Sequence, residues 1–176
     1  PRSVVVKLPS SWEENRAQGV ALGMFEAEVK FYRELAQKVP VGLPYIHLAE
    51  IESGTANFII VMEDLNVLTM VNQSDGVTLD QALMAVEVLA IVHSVWWDQA
   101  DSEELAWIPN MIGPRIQFVD GLLLQILEPF CNAFAEHLPP GGKEMFEAFA
   151  GNYVAINKTL ANRSPWTLAH QDFRVE

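Results

Sequence analysis

The sequence is poor in cysteine and in positive charge, and each deficit excludes a class of protein. Cys131 is the only cysteine among 176 residues, so an internal disulfide is excluded and a reducing, cytoplasmic compartment is expected. Only 11 lysines and arginines stand against 23 acidic residues, which leaves a formal net charge of -12. Because no basic cluster is present to displace counterions from a phosphate backbone, we expect no nucleic-acid partner.

Long apolar runs and the sequence patterns of metal-binding and hydrolase sites are also missing. The most apolar stretch, residues 79–97, is interrupted by Asp80, Glu87 and His93, so we predict no membrane-spanning segment and no membrane partner. The 4 histidines lack the spacing of a zinc site, so no metal ligands are predicted within the sequence. A Gly-x-Ser-x-Gly motif, typical of serine hydrolases, is absent.

The residues that are present can build a folded core. Hydrophobic residues make up 50% of the chain, which is enough for one domain or two small lobes. A β-branched run at residues 3–8 predicts a short strand buried on both faces, and residues 45–52 and 57–63 predict a hairpin whose second strand is central. Helical spacing of apolar residues predicts helices over residues 21–38, 79–97, 115–137 and 143–160. Together these elements predict an α+β fold.

Specific structural roles are predicted for several residues of these helices. Thr78 is predicted to cap the helix that begins at residue 79. Trp96 and Trp97 are interpreted as packing residues, and His93 as a core histidine bonded to backbone. Pro129 is expected to kink or split its helix, because proline removes a backbone donor.

Lys7 and Glu28 form the first candidate pair of functional residues. Lys7 ends the first predicted strand, where an ammonium group can hold nucleotide phosphates as a point charge; the alternative is a lysine that reaches solvent. Glu28 lies at the edge of the apolar stripe of its helix, so it is directed towards the fold, unless it extends outward as a boundary residue. In kinases, a strand lysine paired with a helix glutamate orients the phosphate-binding group.

The second candidate is the His170-Gln171-Asp172 triplet near the end of the sequence. Phosphoryl transfer to an alcohol requires a carboxylate beside the acceptor hydroxyl, and protein kinases supply it in a His-Arg-Asp-x-x-x-x-Asn loop. We interpret Asp172 as the catalytic base; the alternative is a solvated tail without function. By the kinase spacing, the metal-binding Asn falls on the residue after Glu176.

The order of elements matches a kinase N-terminal lobe and hinge: strand, lysine, helix with glutamate, hairpin and polar exit. We therefore predict a partial N-lobe with the ATP-binding elements and hinge over residues 1–65. A helical C-lobe that ends in the catalytic loop is predicted over residues 66–176. The glycine-rich loop is expected before Pro1 and the magnesium ligands beyond Glu176, so the chain is expected to be an inactive piece of a longer protein.

Five blocks of sequence follow one another in an order shared with a known family. They read VVVKLP from residue 4, FEAEVKFY from 25, IVMEDL from 60, LAIVHSVWW from 89 and LAHQDFR from 168. Together they resemble the aminoglycoside phosphotransferase and choline kinase superfamily, and within it the ecdysteroid-kinase-like (CHK kinase-like) branch. The resemblance spans nearly the whole chain.

The resemblance implies an incomplete protein-kinase-like two-lobe fold and an ATP- and Mg²⁺-dependent phosphotransferase. Its substrate would be a small molecule with a hydroxyl group, and the sequence does not indicate which one. Lys7 would contact the α- and β-phosphates and pair with Glu28. The backbone of the hinge, from Glu63 to Leu65, would bind the adenine edge.

By the same resemblance, Asp172 would accept the proton of the acceptor hydroxyl and His170 would brace the loop. The family motif is His-Gly-Asp, so Gln171 is a departure that strains or reshapes the loop if its φ is positive. Two alternatives to catalysis remain open. One is a pseudokinase-like module that binds a nucleotide or a partner, and the other is a mostly helical interaction domain without a shared site.

Overall fold

A computed structural model describes residues 3–69, 71–110, 112–163 and 165–173. The chain divides into two compact units, one comprising residues 1–106 with 165–176 and the other residues 107–164. The first unit contains a three-stranded antiparallel sheet and helices, and the second is helical in its described part. The α+β class is therefore confirmed, whereas the predicted lobe boundary at residue 65 stays a prediction.

The sheet is formed by β1 (Val4–Lys7), β2 (Ile46–Ile51) and β3 (Phe58–Glu63) in the order β1-β3-β2. Both neighbours pair with β3 in antiparallel fashion. The predicted hairpin and the central position of its second strand are thus confirmed. Phe58 and Ile60 of β3 are buried on the face that packs against Val29, while Ile59 and Val61 on the opposite face are only partly buried.

The prediction that β1 is buried on both faces is wrong. Val4, Val5 and Val6 are each between 45% and 50% exposed. Among the described residues β1 pairs only with β3, so it is an edge strand. A run of β-branched residues reports strand propensity, but burial depends on how many neighbours the strand acquires.

The helical region between β1 and β2 differs from the single predicted helix. An unpredicted helix α1 (Glu13–Ala21) precedes α2 (Met24–Lys30), and Gly23 separates them with a φ of 65°. Gly19 of α1 lies against the ring of Phe25, too close to admit a β-carbon. The helical path then continues from α2 through a π-helical turn, Phe31–Leu35, and a 3₁₀ turn, Ala36–Lys38.

Packing of α2 on the sheet forms the core of the first unit. Val29 of α2 and Ile60 of β3 are both fully buried and belong to one cluster of apolar side chains. The ring of Phe25 stacks on that of Phe58 with centroids 4.8 Å apart. This packing fixes the face of α2 that lies against the sheet.

Helix α3 (Leu79–Val95) begins as predicted at Thr78. The Thr78 hydroxyl accepts a hydrogen bond from the Gln81 N–H at 3.2 Å, and the Gln81 side chain accepts one from the Thr78 N–H at 2.9 Å. This capping box satisfies backbone donors that the first turn leaves open. The packing prediction is confirmed for Trp96, which is 1% exposed, and is wrong for Trp97, which is 56% exposed, because the helix has already ended.

The described part of the second unit contains α4 (Pro114–Ala133) and α5 (Gly142–Ala161), which pack through the rings of Phe130 and Phe146. Pro129 does not split α4, which continues to Ala133. Cys131 of α4 is 3% exposed and is a free cysteine. Within the described ranges, no helix combines the length and apolar character needed to cross a bilayer.

We expect Ile60→Ala to lower the free energy of unfolding by about 2 to 4 kcal/mol, because it leaves a cavity between α2 and the sheet. The matched change Ile91→Ala, at a position that is 41% exposed on α3, should cost less than about 1 kcal/mol. Urea denaturation followed by circular dichroism measures both. Equal costs would contradict the placement of the core.

Candidate functional site

Lys7 and Glu28 form an ion pair between the end of β1 and the middle of α2. The Lys7 Nζ lies 2.7 Å from each carboxylate oxygen of Glu28. The two side chains are 49% and 30% exposed, so the ammonium group is oriented by the carboxylate and still open to solvent. Two residues selected from the sequence, 21 positions apart, are thus in direct contact.

The hydrophobic core explains why these two side chains meet. Lys7 pairs with Ile60 across the sheet, and Ile60 packs in the same cluster as Val29, the residue after Glu28. With Val29 directed into the core, Glu28 is rotated to the rim of the helix, beside the end of β1. Burial raises the pKa of Tyr32, one turn further along the helix, and the negative charge of Glu28 adds a smaller effect in the same direction.

The other carboxylate of α2 has a structural partner on the hairpin. Glu26 accepts a hydrogen bond from the Ser53 hydroxyl at 2.8 Å and lies 3.0 Å from the Lys30 Nζ. The hydrogen bond from Ser53 lowers the pKa of Glu26, and Lys30 lowers it further. Glu26 therefore attaches α2 to the hairpin turn, while Glu28 is the carboxylate that orients Lys7.

The predicted hinge begins at the last residue of β3 and is held by the residues that immediately precede both outer strands. The Glu63 N–H donates to the Tyr45 carbonyl at 2.8 Å, and the Glu63 carboxylate accepts from the Tyr45 N–H at 3.1 Å. On the other side, the Asp64 carboxylate accepts from the Ser3 hydroxyl at 2.5 Å. The partly buried Leu65 follows, so the segment leaves the sheet in a defined direction.

The segment that carries the His-Gln-Asp triplet is attached to the end of α3. The Asp98 N–H donates to the Trp166 carbonyl at 2.7 Å, and the Thr167 hydroxyl donates to the His93 carbonyl at 2.6 Å. His93 thus contributes its backbone to this attachment. Both contacts lie within the first unit.

His170 and Asp172 are exposed in this segment, and the His170 ring lies edge-on to the ring of Phe173 at 5.8 Å. Gln171 between them has a φ of 66°, in the left-handed region. This is the position at which the resembled family has glycine. A non-glycine residue in this conformation costs about 1 kcal/mol, so the triplet is a strained turn.

Sequence reasoning missed a polar cluster that joins the end of the α2 helical path to the end of α3. The Glu104 carboxylate accepts hydrogen bonds from the Lys38 ammonium and, at 3.3 Å, from the indole N–H of Trp96. The hydrogen bond from Lys38 lowers the pKa of Glu104, and that from Trp96 acts in the same direction. No local pattern signals this contact, because Lys38 and Glu104 are 66 positions apart.

The structure thus brings Lys7 and Glu28 together and places His170 and Asp172 on a separately attached segment of the same unit. No family model, curated protein or solved structure matches this chain. Within the described residues, no group of three or more His, Cys, Asp and Glu side chains is arranged to hold a metal ion. Convergence of Asp172 on the Lys7–Glu28 pair stays a prediction.

We expect Lys7→Met and Glu28→Gln each to lower the free energy of unfolding by less than about 1 kcal/mol, because partly exposed ion pairs contribute little to stability. Chemical denaturation measures the change. Lys143→Met is the matched control, since Lys143 forms an exposed pair with Glu147 in the second unit. A loss above about 2 kcal/mol at Lys7 alone would instead identify a structural pair.

Proposed function

We propose that the protein is an ATP-dependent phosphotransferase, or the part of one that holds these elements, and that it phosphorylates a hydroxyl group of a small molecule. The observation that supports this proposal is the ion pair between Lys7 at a strand end and Glu28 on the helix packed against the same sheet. Kinases use such a pair to orient the lysine that contacts nucleotide phosphates. An incomplete two-lobe kinase-like architecture and a cytoplasmic location belong to the same proposal.

The geometry of Lys7 suits a phosphate ligand. An ammonium group has three N–H donors, and the two oxygens of Glu28 engage at most two of them. The remaining donor and the half-exposed surface of the side chain are available to a phosphate oxygen. Because Glu28 fixes the direction of the ammonium group, the charge is preorganised for an anion.

The exit of β3 suits the adenine edge in the same scheme. Adenine recognition needs a backbone N–H and a backbone carbonyl held at fixed positions, and the Glu63–Leu65 segment is anchored on both sides by Tyr45 and Ser3. Mg²⁺ would arrive with the nucleotide and neutralise phosphate charge during transfer. In this scheme the described residues would supply the lysine for the phosphates and the backbone for the base.

Asp172 and His170 would perform the proton transfer. In this scheme the acceptor hydroxyl attacks the γ-phosphorus, its proton passes to the Asp172 carboxylate, and the bond between the γ-phosphorus and the oxygen of ADP breaks. His170 would brace the loop beside the base. The hydrogen bonds that attach this segment to the end of α3 hold the backbone a few residues before the Asp172 carboxylate.

A second candidate is a nucleotide- or partner-binding module without catalysis. The observation in its favour is Gln171, which occupies a positive-φ position in the triplet where the resembled family has glycine. A strained loop of altered shape would displace the base while leaving the Lys7–Glu28 pair intact. Binding and turnover therefore have to be measured separately.

The first test is nucleotide binding by the 176-residue chain. Mg-ATP should raise the melting temperature of the wild type, and Lys7→Met should weaken binding about tenfold or more, because one charge-assisted contact to phosphate is lost. Lys143→Met, which removes a similarly exposed ammonium group from the second unit, should bind Mg-ATP as the wild type does. Equal thermal shifts for wild type and Lys7→Met would contradict the assignment of Lys7.

The second test, on the full-length protein, asks whether Asp172 acts in phosphoryl transfer or in nucleotide binding. Asp172→Asn should lower phosphoryl transfer at least about a hundredfold and change Mg-ATP affinity less than about twofold, because a general base acts in the transition state. Asp101→Asn, at another exposed aspartate of the first unit, is the control. Equal loss of binding and turnover would refute the role, and binding without turnover in the wild type would favour the second candidate.

A further inference from the structure

The polar cluster at Glu104 connects two parts of the first unit that carry different candidate groups. Glu28 and Lys38 lie on one helical path that runs from α2 through its π-helical and 3₁₀ turns. The Lys38 ammonium donates to Glu104, and the same carboxylate accepts from Trp96. The helix that orients Lys7 is therefore connected to the residue that ends α3.

The end of α3 is also where the triplet segment is attached. Trp96 lies between the two backbone groups that hold this segment, the His93 carbonyl and the Asp98 N–H. Their partners are Thr167 and Trp166, only a few residues before Asp172. Glu104 thus supports the structural element to which the candidate base is attached.

We propose that Glu104 is a positioning residue that connects the helical path of Glu28 to the end of α3 and so fixes the segment of His170 and Asp172. The catalytic part of this inference rests on the proposed function. Its structural part concerns only contacts within the first unit and can be measured without a nucleotide.

The burial of Trp96 explains why a hydrogen-bond acceptor is needed at this position. Trp96 is 1% exposed, and a buried indole N–H without an acceptor would lose its hydrogen bond to water without compensation. Glu104 supplies the acceptor, and Lys38 supplies a counter-charge from its half-exposed side chain. The hydrogen bond from Lys38, and with it that from Trp96, lowers the pKa of Glu104, because both donors favour the ionised carboxylate.

The amide hydrogen of Asp98 reports directly on the attachment, because its acceptor is the Trp166 carbonyl. Exchange of this amide with deuterium requires the segment to open. We expect Glu104→Gln, which retains an acceptor oxygen but loses the charge, to accelerate Asp98 exchange about fivefold. The Glu63 amide, which donates to Tyr45 in the sheet, should exchange at its wild-type rate and serves as the internal reference.

Two further variants control this measurement. Lys38→Met removes the counter-charge and leaves the hydrogen bond between Trp96 and Glu104, so it should accelerate Asp98 exchange without perturbing the buried indole. Glu50→Gln breaks a more exposed ion pair with Arg33 in the same unit and should leave the exchange rate of the Asp98 amide unchanged. Unchanged Asp98 exchange in both Glu104→Gln and Lys38→Met, or equal acceleration at Asp98 and Glu63, overturns the inference.

The kinetic measurement uses the full-length protein. A positioning role predicts that Glu104→Gln lowers kcat about fivefold with an unchanged KM for Mg-ATP, because the base is displaced while the nucleotide contacts remain. Unchanged kcat together with faster Asp98 exchange overturns the positioning role. Absence of Mg-ATP binding in the wild type would instead defeat the proposed function, so the two failures give different results.

Discussion

The first unit depends on the packing of α2 against β3. Val29 and Ile60 are removed from water at this contact, and the same contact sets the rotation of α2 and its distance from the sheet. Apolar packing of this kind has no directional preference by itself, but it leaves polar residues at defined places on the rim. Glu28 and Lys7 meet there because the core brings their backbones together, and their mutual attraction then orients both side chains.

Hydrogen bonds position the segment that carries His170 and Asp172. Hydrogen bonds that involve Trp166 and Thr167 attach the triplet segment to the end of α3, and Trp96 at that end donates to Glu104. Hydrogen bonds are directional, so they fix the orientation of the segment relative to α3. The strained backbone at Gln171 follows these attachments in the chain.

The two candidate functions share the pair at Lys7 and differ at the triplet. Anion binding requires an oriented and accessible ammonium group, which the exposed ion pair provides. Catalysis additionally requires a carboxylate held near the acceptor hydroxyl to within a fraction of an ångström. Strain at Gln171 matters for that second requirement alone, and this is why binding and turnover distinguish an enzyme from a binding module.

The sequence pattern by itself determined the central position of β3 and the start of α3 at Thr78, because each is encoded within one element or at its end. Lys7 and Glu28 were selected as a pair by analogy with the kinase arrangement, and the tertiary structure decided that they meet. Only the tertiary structure decided that β1 is an exposed edge strand, that Gly23 separates α1 from α2, and that Lys38 contacts Glu104. These features depend on how many neighbours an element acquires and on contacts between residues far apart in the chain. A local pattern carries information about neither.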